Sequence, residues 1–488
     1  MLYKSTRGHH ERITASVAIQ RGIAPDGGLY MPEELPKIDL SFLEALLPCS
    51  YSERAFRILS LYLCDYEQEA LQSICQQAYS TQRFGEYPAP VVKLRDSQVS
   101  VLELWHGPTS AFKDMALQIM PLLLTKALEM TGETRTAYIL VATSGDTGKA
   151  ALEGYKDVKQ TKLLVFYPDQ GVSVMQKLQM TTQQGENVKV QAIDGNFDDA
   201  QSGLKKIFAD REVIAQLDRE GCFLSSANSI NWGRLAPQIV YYMSAYCDMV
   251  KAGTVKMGDP INVCVPTGNF GNIFAGILAA EMGLPVRKFI CASNKNNILT
   301  DFLSTGVYDR KRDFYATMSP SMDILISSNL ERLLYLRFGS ERTAAWMKQL
   351  LEKGEYALTK EDKSLLDTQL TGGWCDEEQT AKTIRDMFDS HHYLADTHTA
   401  VALHAARERT TQDLPLLVLS TASPYKFPVA VYASLTGRTL NDDFEALGAL
   451  SHYTGTTIPS PIASLHTLPV RFQGTVDKAD MKKMVLAG

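Results

Sequence analysis

An α/β architecture, with two open and mostly parallel sheets flanked by helices and a mainly helical N-terminal domain, is the fold class this sequence predicts. Three observations predict it. Short apolar runs alternate with helix-length amphipathic stretches through the middle of the chain, the pattern of parallel strands joined by crossover helices. Two of those runs end in glycine-rich turns that open a helix. Residues before about Asp96 are more helical and carry no such turn.

Residues 1–95 therefore read as an accessory N-terminal domain. Residues 96–130 start a larger domain that holds Lys113, and 131–235 form a small α/β domain. In the latter, strands at 137–142, 162–167, 188–193 and 223–225 alternate with helices at 147–155, 172–184 and 197–218. The larger domain resumes at 236 and runs to 488, with strands at 261–265, 288–292 and 414–419 and a helix at 273–282. A charged, helix-forming stretch at about 296–375 interrupts this pattern and reads as an insertion. It carries the loop Ser319, Pro320, Ser321, Met322, Asp323, placed near the site.

A formal charge of -6 and a pI near 5.9 over 488 residues argue against nucleic acid or a membrane surface as partner. An anionic substrate must then meet a local basic cluster. The eight cysteines show no Cys-x-x-Cys spacing and mostly lie in apolar runs, as buried free thiols do. His391, His392, Asp396, His398 and His404 do not read as a metal site, because His398 and His404 are six apart and share no helix face. His398 reads instead as a helix start capped by Asp396. Charged residues break up the N-terminus, so no signal peptide is expected there. No apolar run approaches the roughly 20 residues that span a bilayer, so a cytoplasmic location is expected.

Three motifs carry chemistry. In His106-Gly107-Pro108-Thr109-Ser110-Ala111-Phe112-Lys113-Asp114, a lysine follows a glycine-proline turn in an aromatic setting, where burial favours the neutral, nucleophilic amine. Val265-Pro266-Thr267-Gly268-Asn269-Phe270-Gly271-Asn272 joins a strand to a helix, so backbone N–H groups can close on a phosphate at a helix N-terminus. Thr143-Ser144-Gly145-Asp146-Thr147-Gly148-Lys149 is a second turn suited to a carboxylate or phosphate. It is not a nucleotide P-loop, which needs Gly at Thr143 and Ser or Thr at Ala150. Together these supply what a pyridoxal 5'-phosphate site requires.

The chain resembles the threonine synthases, pyridoxal phosphate enzymes of fold type II (tryptophan synthase β-like). The resemblance runs through Tyr3-Lys4-Ser5-Thr6-Arg7-Gly8, the GIAPDGGLYMP stretch at 22–32, HGPTSAFKD, TSGDTGKAA, Ser226-Ala227-Asn228-Ser229-Ile230-Asn231, Arg234, PTGNFGN and Ser420-Thr421-Ala422-Ser423-Pro424-Tyr425-Lys426-Phe427. Two stretches depart from the family pattern. Ser423-Pro424-Tyr425-Lys426-Phe427 stands where His-Pro-Ala-Lys-Phe is expected, and Asp396-Thr397-His398-Thr399-Ala400 where Asp-Pro-His-Thr-Ala is expected. His398 and Lys426 fall in these stretches and receive no role.

The resemblance implies conversion of O-phosphohomoserine and water to L-threonine and phosphate, by γ-elimination and β-addition of water. It implies Lys113 as the catalytic, cofactor-binding lysine. Gly268, Asn269, Phe270, Gly271 and Asn272 would hold the cofactor phosphate, and Thr421 would face the pyridine nitrogen. As a neutral hydroxyl, Thr421 holds no proton on that nitrogen, which makes the ring a weaker electron sink. Thr143, Ser144, Gly145, Asp146 and Thr147 would contact the substrate, and Asn228, Ser229 and Arg234 would receive the leaving phosphate. No metal is implied. A monomer or homodimer is expected. Two alternatives stay open: a phospho-lyase that releases 2-oxobutyrate, and a catalytically silent metabolite-binding homologue.

Overall fold

The apolar runs become two sheets whose strand ends face a common cleft. The computed structural model describes residues 1–143, 145–170, 172–409 and 414–487. A six-stranded sheet runs in the order Leu370–Trp374, Val286–Ser293, Ile261–Pro266, Leu416–Ser420, Val99–Glu103, Val91–Lys93. Its neighbours are parallel except for the last pair. A five-stranded sheet, parallel throughout, runs Thr475–Asp477, Val188–Asp194, Thr161–Pro168, Thr136–Ala142, Cys222–Ser225. Every residue of Ile261–Pro266 and Leu416–Ser420 is buried, as strands covered by helices on both faces must be.

The seven strands read from the sequence are all present, and four further strands of these two sheets were not read. Val91–Lys93 and Thr475–Asp477 are three-residue edge strands, too short to show a period. Val99–Glu103 carries a serine, Ser100, at its second position. Leu370–Trp374 contains two glycines, and it makes the end of the 296–375 stretch part of the large sheet rather than an insertion. Those glycines are required by packing: an added Cβ at Gly372 would lie 2.8 Å from Thr300 Cα, and one at Gly373 would lie 3.0 Å from Ala405 Cβ. The small sheet likewise extends beyond 131–235, because Thr475–Asp477 joins it from the C-terminal end. The single helix expected at 197–218 is two, Phe197–Ala209 and Arg211–Arg219. Asp210 divides them, since its carboxylate accepts from Glu212 N (2.9 Å) and Val213 N (3.2 Å) and so caps the second.

The N-terminal region carries helices Ala15–Arg21, Leu40–Leu46, Tyr51–Leu59, Gln68–Ala78 and Thr81–Phe84 and one small β pair, Tyr3–Ser5 with Tyr30–Pro32. It packs on helix Pro237–Lys251, where Arg54 Nη1 donates to Asp248 Oδ1 (2.7 Å) and Ser244 Oγ (2.8 Å). Fully buried Tyr3 and Tyr62 both pack against Trp232. Removing an indole from such a site costs about 3–5 kcal/mol. The Tyr3–Ser5 strand also delivers Thr6 and Arg7 to Glu331, with Thr6 Oγ1 donating at 2.6 Å and Arg7 Nη2 at 2.8 Å. The N-terminal segment thereby becomes one wall of the cleft.

Candidate active site

Lys113 lies past the carboxyl end of Val99–Glu103, on a loop fastened to the exit of the neighbouring strand Leu416–Ser420. Leu104 N donates to Ser420 O (3.0 Å), Phe112 N to Thr421 O (2.8 Å) and Ser423 N to Ser110 O (3.1 Å). Ser110 takes a left-handed φ of 58° to make this turn. Lys113 is only 9 % exposed, and its Nζ lies 3.4 Å from both Asp146 Oδ2 and Ser321 Oγ and 5.0 Å from the centre of the Phe112 ring. Burial drives its pKa down to about 8; Asp146 opposes the shift, while Arg234 and Lys426 reinforce it.

The second motif follows strand Thr136–Ala142 into helix Asp146–Tyr155. Thr143 Oγ1 accepts from Gly145 N and Gly148 N, both at 2.9 Å, and closes the turn. Gly145 has φ 136°, which favours glycine. Asp146 is buried and heavily engaged: Lys426 Nζ lies 2.7 Å from Oδ1, Gln176 Nε2 donates to the same oxygen (2.8 Å), and Ser321 Oγ donates to Oδ2 (3.0 Å). Burial works against its charge, but Lys426 and then Lys113 hold it well below the usual carboxylate range. Ser144, expected at this turn, lies outside the described residues.

The third motif forms a cradle. Phe270 adopts a left-handed φ of 62°, turning the chain into helix Gly271–Met282. Among the described residues, no protein acceptor takes the backbone N–H groups of Gly268, Asn269, Phe270, Gly271 or Asn272. Asn272 Oδ1 accepts from Tyr241 OH (2.6 Å) and lies 2.7 Å from Tyr242 OH, which leaves the buried Nδ2 without a partner. Unclaimed donors at a helix N-terminus suit a phosphate. The cradle has no room for a larger residue, since a Cβ on Gly268 would lie 2.8 Å from Ser321 O. The Thr421 hydroxyl makes no hydrogen bond to protein among the described residues and faces the same cavity. These features fit pyridoxal phosphate: a phosphate cradle, a neutral hydroxyl and a lysine of lowered proton affinity.

A separate group of residues around a buried arginine lines the same cavity. Arg234 is 5 % exposed. Its Nη1 donates to Ala227 O (2.8 Å), and among the described residues no carboxylate pairs with it. Burial lowers its pKa to about 10. Asn228 Oδ1 is buried without a partner, and Ser229 Oγ accepts from Asn329 Nδ2 (3.0 Å). Fully buried Arg332 ties this loop to its surroundings, donating to Ile230 O (2.6 Å) and Tyr30 O (3.2 Å) and contacting Asn329 Oδ1.

A cavity of about 770 Å³ collects these groups. Lys113, Thr143, Thr147, Asn228, Ser229, Arg234, Gly268, Asn269, Phe270, Gly271, Asn272 and Thr421 line it, while Gly145 and Asp146 stand behind the wall. Sequence reasoning assigned no role to Arg7, Asn329, His398 or Lys426. His398 is capped by Asp396 as expected, with His398 N donating to Asp396 Oδ1 (2.8 Å). Its ring also lines the cavity, where Nδ1 faces Asp396 Oδ1 (2.9 Å) and Nε2 accepts from Ser321 N (3.1 Å). The 319–323 loop expected near the site is there, held by that histidine.

Comparison with known proteins finds three family profiles along the chain. The threonine synthase N terminus profile matches residues 2–79, the pyridoxal-phosphate dependent enzyme profile 83–360, and the threonine synthase C-terminal profile 399–485. Threonine synthase of Pseudomonas aeruginosa is 40 % identical, over 88 % of this chain and 90 % of that protein. The chain belongs to the threonine synthase family. The family is one of pyridoxal phosphate enzymes, and the crystal structure of pyridoxal phosphate-bound threonine synthase from Brucella melitensis superposes with a TM-score of 0.88 at 35 % identity, covering 100 % of this chain and 99 % of that one. Threonine synthase-like 1 of Pongo abelii is also 40 % identical, over 88 % of this chain, but the chain spans only 58 % of that relative's length. Among the described residues, no helix is long and apolar enough to cross a membrane, and no group of three or more His, Cys, Asp or Glu is placed to hold a metal ion.

Proposed function

We propose that this chain is a carbon-oxygen lyase of threonine biosynthesis, converting O-phosphohomoserine and water to L-threonine and phosphate in the cytoplasm. The observation that carries the reading is one cavity onto which a low-pKa lysine, an unclaimed phosphate cradle and a separate buried arginine all open. That is one receptor for the cofactor's phosphate and a second for the substrate's.

Pyridoxal phosphate, when bound, supplies a carbonyl reactive towards amines and an electron-withdrawing ring that acidifies neighbouring C–H bonds. The N–H groups of residues 268–272 and Asn272 Nδ2 would hold its phosphate, and the Thr421 hydroxyl would serve its ring nitrogen. Lys113 Nζ is the amine for covalent attachment. The free Nζ would serve as general base at the substrate's α-carbon and carry the proton onward. Asp146 and Ser321 fix Nζ at the cavity floor. Thr143 and Thr147 meet the substrate at the wall. Arg234, with Asn228 and Ser229, binds the γ-phosphate and stabilises its charge as it leaves, a role for which the planar guanidinium fork is suited.

Incubating the protein with pyridoxal phosphate and O-phosphohomoserine, while following phosphate and organic product together, tests this. Phosphate with an equal amount of threonine is expected. Phosphate with 2-oxobutyrate would make the chain a phospho-lyase instead, and no phosphate from cofactor-loaded protein would point to a different substrate or a silent homologue.

A further inference from the structure

Lys426 ends a short 3-10 turn after strand Leu416–Ser420 and is 0 % exposed. Among the described residues its Nζ has two partners, Asp146 Oδ1 at 2.7 Å and Thr109 O at 3.1 Å. Asp146 turns its other oxygen to Lys113 Nζ at 3.4 Å. One buried carboxylate therefore stands between two buried lysines. With both lysines protonated the trio carries +1; with one deprotonated it is neutral. An apolar interior favours the neutral state, so the arrangement drives a proton off one lysine. The lysine that gives it up is the one less well held. Lys426 is closer to the carboxylate and has the Thr109 carbonyl, whereas Lys113 has a 3.4 Å contact and stands near Arg234.

We propose that Lys426 is a positioning residue that shares Asp146 with Lys113 and so keeps the Lys113 amine free for the cofactor carbonyl. Without Lys426 the sign reverses. Asp146 and Lys113 would form a neutral pair with Lys113 charged, and deprotonating Lys113 would leave a buried, unpaired carboxylate. The other titratable groups facing this trio are Arg234 on the Lys113 side, Asp114 and Lys149 on the Lys426 side, and His398 behind Ser321. Among the described residues, none of them hydrogen-bonds either lysine.

The inference rests on Lys113 being the cofactor lysine, so the experiment separates the two claims. Apoprotein is mixed with pyridoxal phosphate across a pH series, and the rate at which the near-visible absorbance of lysine-bound cofactor grows is recorded, with no substrate present. Lys113→Ala is the control: if it still forms the band, the reading of Lys113 fails. If it does not, Lys426→Met is expected to move the midpoint of the rate–pH profile upward by about one unit or more. Lys426→Arg, which keeps the shared charge, is expected to leave it near that of the wild type. If Lys426→Met does not fold, Lys426→Gln is read in the same way. An unchanged midpoint in a folded neutral variant, or an equal shift in Lys426→Arg, would overturn the proposal.

Discussion

Arg234→Met separates affinity for the substrate phosphate from stability of the fold. The guanidinium is 5 % exposed, donates to one carbonyl at 2.8 Å, and has no carboxylate partner among the described residues. A charge buried in that state is costly until an anion arrives. Replacing it with methionine, of similar length and apolar, removes that cost. The cofactor-loaded variant should therefore melt at the wild-type temperature or above it. The loss falls on the ligand, because a hydrogen bond to a charged group is worth about 1.5–3 kcal/mol, roughly 10- to 150-fold in affinity. Inorganic phosphate at millimolar concentration should raise the melting temperature of wild-type holoprotein and do little for the variant. In steady-state assays KM for O-phosphohomoserine should rise within that range. Removing Arg234 also removes a charge that lowers the Lys113 pKa, so the activity profile should move to higher pH. Holoprotein of Arg234→Met that binds O-phosphohomoserine within threefold of wild type would refute the assignment of Arg234 as phosphate receptor.

Further expectations concern the cofactor and its supports. Asn272→Ala removes an unpartnered buried side-chain amide donor at the cradle and should weaken pyridoxal phosphate binding by about 1–3 kcal/mol, measurable by fluorescence titration; unchanged affinity would place the phosphate elsewhere. Thr143→Val strips the acceptor from Gly145 N and Gly148 N at once, and should lower the melting temperature of apoprotein as well as activity. Cofactor uptake by the wild-type apoprotein should accelerate as pH rises through about 8, because the neutral Lys113 amine accumulates there. At pH 7 about one lysine in ten would be neutral, roughly 300 times more than for a lysine of unperturbed pKa. A midpoint above 10 would mean that Lys113 is not desolvated.

Much of this was legible in the sequence because the chemistry sits where chain pattern is strongest. The runs at 137–142 and 261–265 are continuous and apolar, and the turn after each opens a helix, so both the strand and its functional carboxyl end could be read together. Leu370–Trp374 was illegible because its two glycines answer to close contacts with Thr300 and Ala405, not to a period. The break at Asp210 did have a signal, an aspartate followed by helix formers, and periodicity on both sides masked it. Lys426 and His398 show the limit most clearly. Each lies in a stretch departing from the family pattern, and what gives each its place is burial against Asp146 or Ser321, contacts made across 280 and 77 residues of chain that no local pattern encodes.

The central claim is that Lys113 is the lysine this cavity offers to pyridoxal phosphate. Two buried lysines, Lys113 and Lys426, and the half-buried Lys149 lie within one charge network, so the claim is specific enough to fail. Borohydride reduction of the holoprotein, followed by peptide mass mapping, tests it directly. The account predicts a single pyridoxyl-phosphate mass addition on the peptide containing Lys113. Modification of Lys426 or Lys149 in place of Lys113, or no modification of protein that has taken up cofactor, would contradict it.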